Sequence, residues 1–302
     1  MRELRLESLR GRDRLTIFTP LGIRFWDPAL DIQVNEGLAV TARPLDTKGS
    51  TTSAFRTTSG LYAFQGLPGL HAVEYPRGQQ LPAQSPPATT RFLIEARDEK
   101  RRFLPVAFTV SLPYQGIFPT GSLHGLPVGG PPGFYLFAAP TRPVPATLAV
   151  VRAQLAEHGT NNSDKAAPYA VMEVQGPDGQ IWYGLADERG CVAVLFPYPT
   201  FSSHSGALSS SPPGTDNRQH WMLSIGIRYA PAALCFPPAS SLPELRSIFN
   251  QGSGAIWPSR TASLEQPVSR LSAELIFGEE LVLRSAGEAT LLIDSALTSP
   301  SF

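Results

Sequence analysis

Apolar and polar residues alternate with a period of two in several short stretches of this chain, the pattern of half-buried β-strands. The cleanest run sets Trp221, Leu223, Ile225, Ile227 and Tyr229 against Met222, Ser224, Gly226 and Arg228. Phe92, Ile94 and Ala96 share one face of a second strand. Val106, Phe108 and Val110 share one face of its partner, across a charged turn at 97–102. Residues 38–43, 60–64, 148–155, 169–174, 181–185, 273–277 and 281–283 read as further strands. Residues 191–196 are almost continuously apolar, which suits a strand buried on both faces. The pattern places Tyr62, Phe64, Ile94 and Phe108 inward in the first half, and Val192, Val194, Leu223, Ile225 and Ile227 inward in the second. Pro177-Asp178-Gly179 is a turn, with proline presetting φ and glycine accepting a positive one. One helix is expected over 243–250. Ser241-Leu242-Pro243-Glu244 has capping-box spacing, and Leu245, Ile248 and Phe249 fall on one face.

The 302 residues include 30 prolines, a density that long helices do not survive, so a helical bundle, coiled coil or helical solenoid is excluded. Hydrophobic residues make up 42%, enough for a sizeable core. Lys+Arg and Asp+Glu number 25 each, and a formal net charge of zero argues against a nucleic-acid partner. No stretch approaches the ~18 consecutive apolar residues of a membrane helix, so no membrane insertion is expected. No signal-peptide pattern follows Met1, so the expectation is cytoplasmic synthesis. The two cysteines, Cys191 and Cys235, are expected as free thiols.

An internal repeat organises the strands. Residues 57–64, Thr-Thr-Ser-Gly-Leu-Tyr-Ala-Phe, lie over residues 187–194, Asp-Glu-Arg-Gly-Cys-Val-Ala-Val. In both, a polar turn with a glycine launches a strand, and the two glycines are 190 − 60 = 130 residues apart. The preceding strands at 38–42 and 148–154 are taken as counterparts. Two β-sandwich modules of roughly 100 residues each fit the spacing. The expected organisation is an N-terminal arm at 1–27, a first module at 28–118, a Pro/Gly-rich linker at 119–146 and a second module at 147–302. The repeated motif, with Leu67-Pro68-Gly69 after its first copy, resembles the carboxypeptidase regulatory-like domain. That resemblance implies an all-β, prealbumin-like or Ig-like sandwich without catalytic residues of its own.

Chemistry is sparse in the sequence. The five histidines, His71, His124, His158, His204 and His220, show no metal-ligand spacing. There is no phosphate-binding loop and no dinucleotide fingerprint. Ser202-Ser203-His204-Ser205 contains a nucleophile and a base but lacks a nucleophile elbow. Asp187-Glu188 is a carboxylate pair that also reads as a charged turn. The tryptophans, with Tyr183 and Tyr229, read mainly as core, with a sugar-stacking platform as the other use. No catalytic residue, cofactor or metal is therefore expected. The site residues that stand out are apolar: Ile17, Phe18, Ile23, Phe25 and Trp26. They either pack on the first sandwich or dock on a partner subunit.

A wider resemblance covers residues 15–28, 101–105, 139–143, 182–190 and 195–199, the last reading Leu-Phe-Pro-Tyr-Pro. These stretches are similar to an accessory protein of phage-tail-like contractile injection systems. The resemblance implies a non-catalytic structural or assembly subunit of a large particle, near the baseplate or a tube terminus, whose partners are other subunits. The alternative is a ligand-recognition sandwich for glycans or peptides.

Overall fold

The computed structural model describes residues 19–74, 89–114, 117–119, 133–159, 165–199, 219–260 and 266–295. Among these residues strand accounts for 47% and helix for 5%, an all-β fold. Its strands form two sandwiches with the same order of pairing.

In the first sandwich one sheet runs Thr52–Ser53, Leu38–Pro44, Thr90–Asp98, Val106–Leu112, antiparallel throughout. In the layer opposite, Gly22–Ile23 lies antiparallel to Tyr62–Ala63 and parallel to Ile117–Phe118. Phe25–Asp27 continues this line, parallel to Phe134–Tyr135. In the second sandwich the corresponding sheet runs Ile181–Leu185, Val171–Gln175, His220–Arg228, Arg270–Ile276. Opposite it, Leu148–Glu157 lies antiparallel to Cys191–Pro197 and parallel to Leu281–Leu283 and Leu291–Asp294. The inward residues expected from the alternation, Tyr62, Phe64, Ile94, Phe108, Val192, Val194, Leu223, Ile225 and Ile227, are all buried.

The repeat holds at the level of register. Ile23 faces Tyr62 and Ala153 faces Val192, so 153 − 23 and 192 − 62 both equal 130. The counterpart of Leu148–Glu157 is thus the chain at 22–27, not the strand at 38–44, which answers to Val171–Gln175. The two motif glycines, Gly60 and Gly190, both have φ +77°. Each donates its N–H to the carbonyl three residues earlier, Thr57 or Asp187, at 3.0 Å. The side chain at that position, Thr57 Oγ1 or Asp187 Oδ1, accepts the N–H of Leu61 at 3.0 Å or of Cys191 at 2.8 Å. A threonine and an aspartate do the same work because each offers a short side-chain acceptor.

Two expected boundaries fall inside paired structure. Residues 22–27, read as arm, form a central strand line of the first sandwich, because Ile23 and Phe25 each find an apolar layer to enter. Residues 134–137, read as linker, complete that sandwich, with Phe134, Leu136 and Phe137 in its core. The helix is shorter than expected, Leu245–Phe249, with Glu244 as N-cap and no side-chain capping bond. Glu244 is extended and bridges in parallel to Ala107, which prevents a turn from starting at Ser241. A short helix, His71–Glu74, has no counterpart in the sequence reading. Its buried Glu74 accepts the N–H groups of Gly66 at 2.8 Å and Leu67 at 3.1 Å.

The sandwiches share packing. Leu245, Ile248 and Phe249 of the helix, with Val171 and Leu185 of the second sandwich, belong to the core cluster of the first. On another side, Leu148, Val150, Ala193 and Leu195 pack against Ala29, Ala138 and Val144. The segment between the sandwiches is held by Arg142, whose Nη2 lies 2.5 Å from Asp27 Oδ2, both side chains being buried. The Arg142 guanidinium also sits 4.8 Å from the ring centre of Phe103. No helix among the described residues is long and apolar enough to cross a membrane.

Candidate functional site

Of the five apolar residues singled out for docking, Ile17 and Phe18 lie outside the described residues. Ile23 and Phe25 are fully buried in the chain's own core. The Phe25 ring meets Tyr62 edge-on at 5.4 Å and Phe134 at 5.6 Å. These two side chains therefore present nothing to a partner, which corrects the docking reading for them. Trp26 is half-buried, and its indole N–H donates to Asp31 Oδ1 at 3.1 Å.

The polar candidates separate in the same way. His124, His204 and the Ser202–Ser205 run lie outside the described residues. His158 stacks on Trp257 at 4.2 Å, and His220 pairs with Glu274 at 3.2 Å. No three His, Cys, Asp or Glu side chains converge on a metal-sized site among the described residues. Among the aromatics, Trp182, Trp221 and Tyr229 are core, while Trp257 is half-buried with its N–H on Asp294 Oδ2 at 2.7 Å.

Asp187 and Glu188 have divided roles. Asp187 Oδ1 accepts the N–H groups of Arg189 and Cys191, each at 2.8 Å, and so serves the turn. Glu188 is exposed and faces a cleft of about 170 Å³ at the junction of the sandwiches. Leu104 and Pro105 from the first sandwich, Leu185 and Ala186 from the second, and Leu242 before the helix supply its apolar lining. Tyr169 and Glu188 stand beside them, with 3.5 Å between the hydroxyl and Glu188 Oε1. Tyr169 has φ +59°, in the left-handed region, and its carbonyl is held by Gln251 Nε2 at 2.8 Å. Burial, reinforced by the Glu188 charge, pushes the Tyr169 hydroxyl up to about 12, so it remains a donor at neutral pH. Exposed Phe236 extends the apolar surface past the Tyr169 ring, which it meets edge-on at 6.2 Å.

A volume of about 170 Å³ suits one aromatic or branched aliphatic side chain. The groups around it offer apolar contact, a hydroxyl donor and a carboxylate acceptor. The nearby Cys191 thiol is pushed up by burial and by the Asp187 charge, opposite to the direction that activates a nucleophile. The sequence reading did not foresee this cleft, since its walls come from three distant stretches. Its one sequence signal was the Asp187-Glu188 pair.

No protein-family model matches the chain. No curated protein matches it either. Among solved structures, the Bacillus anthracis TIE protein is 7% identical over 84% of this chain and 43% of its own, with a TM-score of 0.22. This chain thus spans less than half the length of that protein. The C-terminal fragment of the pilus adhesin SpaC from Lactobacillus rhamnosus GG is 10% identical over 90% of this chain and 95% of its own, with a TM-score of 0.19. At such scores neither likeness bears on fold or function.

Proposed function

We propose that this chain is a non-catalytic structural subunit, a stiff tandem of two sandwiches that holds other subunits at a set spacing in a large particle. The observation that carries the reading is the shared core: Leu245, Ile248 and Phe249 enter the first sandwich from the far end of the chain. Two domains meant to move independently have small, polar contacts. Here the contact is apolar and is reinforced by the buried Arg142–Asp27 pair. The sequence resemblance supplies the kind of particle, a phage-tail-like contractile injection system, with the baseplate or a tube terminus as the place. The carboxypeptidase regulatory-like resemblance of residues 57–69 fits the same structural role.

The test is to purify the particle from cells carrying a tagged copy of the chain. Co-sedimentation at a fixed stoichiometry is expected. A chain that stays at the top of the gradient while complete particles sediment would refute the reading.

The junction cleft favours a second reading, recognition of a peptide side chain. Isolated protein would then bind apolar peptides in solution, and filling the cleft from its exposed rim with Glu188→Trp would abolish binding without loss of fold.

A further inference from the structure

The two sandwiches differ at the outer strand of the corresponding sheet. In the first, Val106–Leu112 is covered. Glu244 bridges to Ala107, and Leu242 packs with Ala107 and Leu93. In the second, Arg270–Ile276 pairs through seven registered residues with His220–Arg228. Among the described residues no strand pairs along its other side. The nearest such contact is the isolated Ile256–Val268 bridge just before it.

The direction of the open groups follows from the ladder. The Phe277 N–H donates to the Gln219 carbonyl at 2.8 Å. Alternation then turns the backbone groups of Leu275, Ala273 and Leu271 toward the neighbouring strand, and those of Arg270, Ser272, Glu274 and Ile276 outward. Proteins normally blunt such an edge with proline, charged side chains (lysine above all), a bulge or a cover, and the charges here, Arg270 and Glu274, are of opposite sign. Residues 270–276 contain neither proline nor lysine, and their register with the neighbour is unbroken.

We propose that this edge is a self-pairing interface, joining a second copy of the chain in antiparallel fashion about a two-fold axis at Ser272. The charge pattern selects this occupant and register. With Ser272 opposite Ser272 of the partner subunit, Arg270 faces Glu274 of the partner subunit, and the symmetry repeats that pair. All of these residues turn their backbone groups outward, so every such pair is a hydrogen-bonding one. A two-fold at Arg270 or Glu274 would oppose like charges, and a two-fold at Leu271 or Ala273 forms no charge pair. On the inner face the same register sets Leu271 against Ala273 of the partner subunit. Both positions are half-buried and already pack on the core of the second sandwich. Within one chain Arg270, 37% exposed, reaches back to Glu173 at 3.1 Å and Glu274, 55% exposed, pairs with His220 at 3.2 Å, so the dimer exchanges these two surface contacts for the pairs between copies. The dimer joins two four-stranded sheets into one continuous sheet. An edge alone buries less than a standard interface, so association is concentration-dependent.

The experiment is sedimentation velocity on the full chain over a concentration series. Wild type is expected to pass from monomer to dimer. Ser272→Pro removes an N–H that turns outward and has no strand partner among the described residues, and should stay monomeric with unchanged circular dichroism and melting. Glu274→Arg should weaken the dimer about tenfold by opposing Arg270 twice. Adding Arg270→Glu to it should restore association. A wild type monomeric throughout, a folded Ser272→Pro variant that still dimerises, or a folded double variant that fails to recover would overturn the proposal. Should Ser272→Pro not fold, Glu274→Arg decides alone, with unchanged dimerisation counting against the interface.

Discussion

Asp27 and Glu157 occupy the same place in the two sandwiches, at the end of the strand line that pairs with the glycine-launched strand, 157 − 27 = 130 residues apart. Each carboxylate is closed by a different partner. Asp27 takes the Arg142 guanidinium and the N–H of Ala29, whereas Glu157 accepts the hydroxyl of buried Tyr229. The first arrangement ties the connecting segment down. The second ties the ends of two strands in facing layers together.

The Asp27–Arg142 pair is the more exposed to damage by mutation. Arg142→Met leaves a carboxylate buried without its cation, and a loss of about 3–5 kcal/mol is expected in chemical denaturation. A loss below about 1 kcal/mol would mean that water reaches Asp27 easily.

The motif glycines should not be equally sensitive. A Cβ on Gly190 would lie 2.3 Å from the Leu155 carbonyl oxygen, which the sheet holds in place. A Cβ on Gly60 would meet Gln33 Nε2, which can swing aside, and Asn35 Cβ, which moves only with its loop backbone, each at the wider distance of 2.7 Å. Both substitutions to Ala carry the left-handed penalty of about 1–2 kcal/mol. Gly190→Ala should therefore lower the melting temperature further than Gly60→Ala does.

Ile225 and Met222 lie on opposite faces of one strand. Ile225 is fully buried and Met222 is 56% exposed. Ile225→Ala should cost about 2–5 kcal/mol, and Met222→Ala should stay within about 0.5 kcal/mol of wild type. Equal effects in a denaturant titration would show the faces to be misassigned.

Tyr169 makes stability fall at high pH. Its folded value of about 12 lies above the ordinary 10, so the folded state holds the proton more tightly than the unfolded chain does. The contribution is complete below pH 10 and is lost as pH rises toward 12. Tyr169→Phe should flatten the alkaline decline of the melting temperature over that interval. Spectrophotometric titration of tyrosinate should show one late-ionising group fewer.

Removing residues 1–27 should destabilise the protein rather than detach it from a partner. The truncation takes Ile23 and Phe25 from the first core, each side chain contributing about 1.5–3 kcal/mol by burial. Insoluble or molten protein is the expected outcome. A soluble truncated chain with native melting would contradict the placement of that strand line.

Period-two alternation made the long strands legible, since residues such as Leu223, Ile225 and Ile227 repeat often enough to define a face. The repeat was legible because Gly60 and Gly190 answer the same backbone demand. The strands Gly22–Ile23, Ile117–Phe118 and Phe134–Tyr135 have two residues each, too few to show any period. Their pairing depends on chain segments about a hundred residues apart, and only the fold brings these together. The junction cleft was hidden for the same reason, as Leu104, Tyr169 and Leu242 have no local relation. Arg142 did leave a trace in the sequence: a lone charge in Ala139-Pro140-Thr141-Arg142-Pro143 asks for a buried partner.

The helix Leu245–Phe249 also sets the order in which the protein can mature during synthesis. Domains of a growing chain usually fold in turn, the N-terminal one first. Here the first sandwich lacks Leu245, Ile248 and Phe249 until the ribosome has passed residue 249. The early half must wait on the nascent chain with an apolar surface uncovered. A stop codon or a stall before that point yields an incomplete core, a species that quality-control machinery can distinguish from the finished protein.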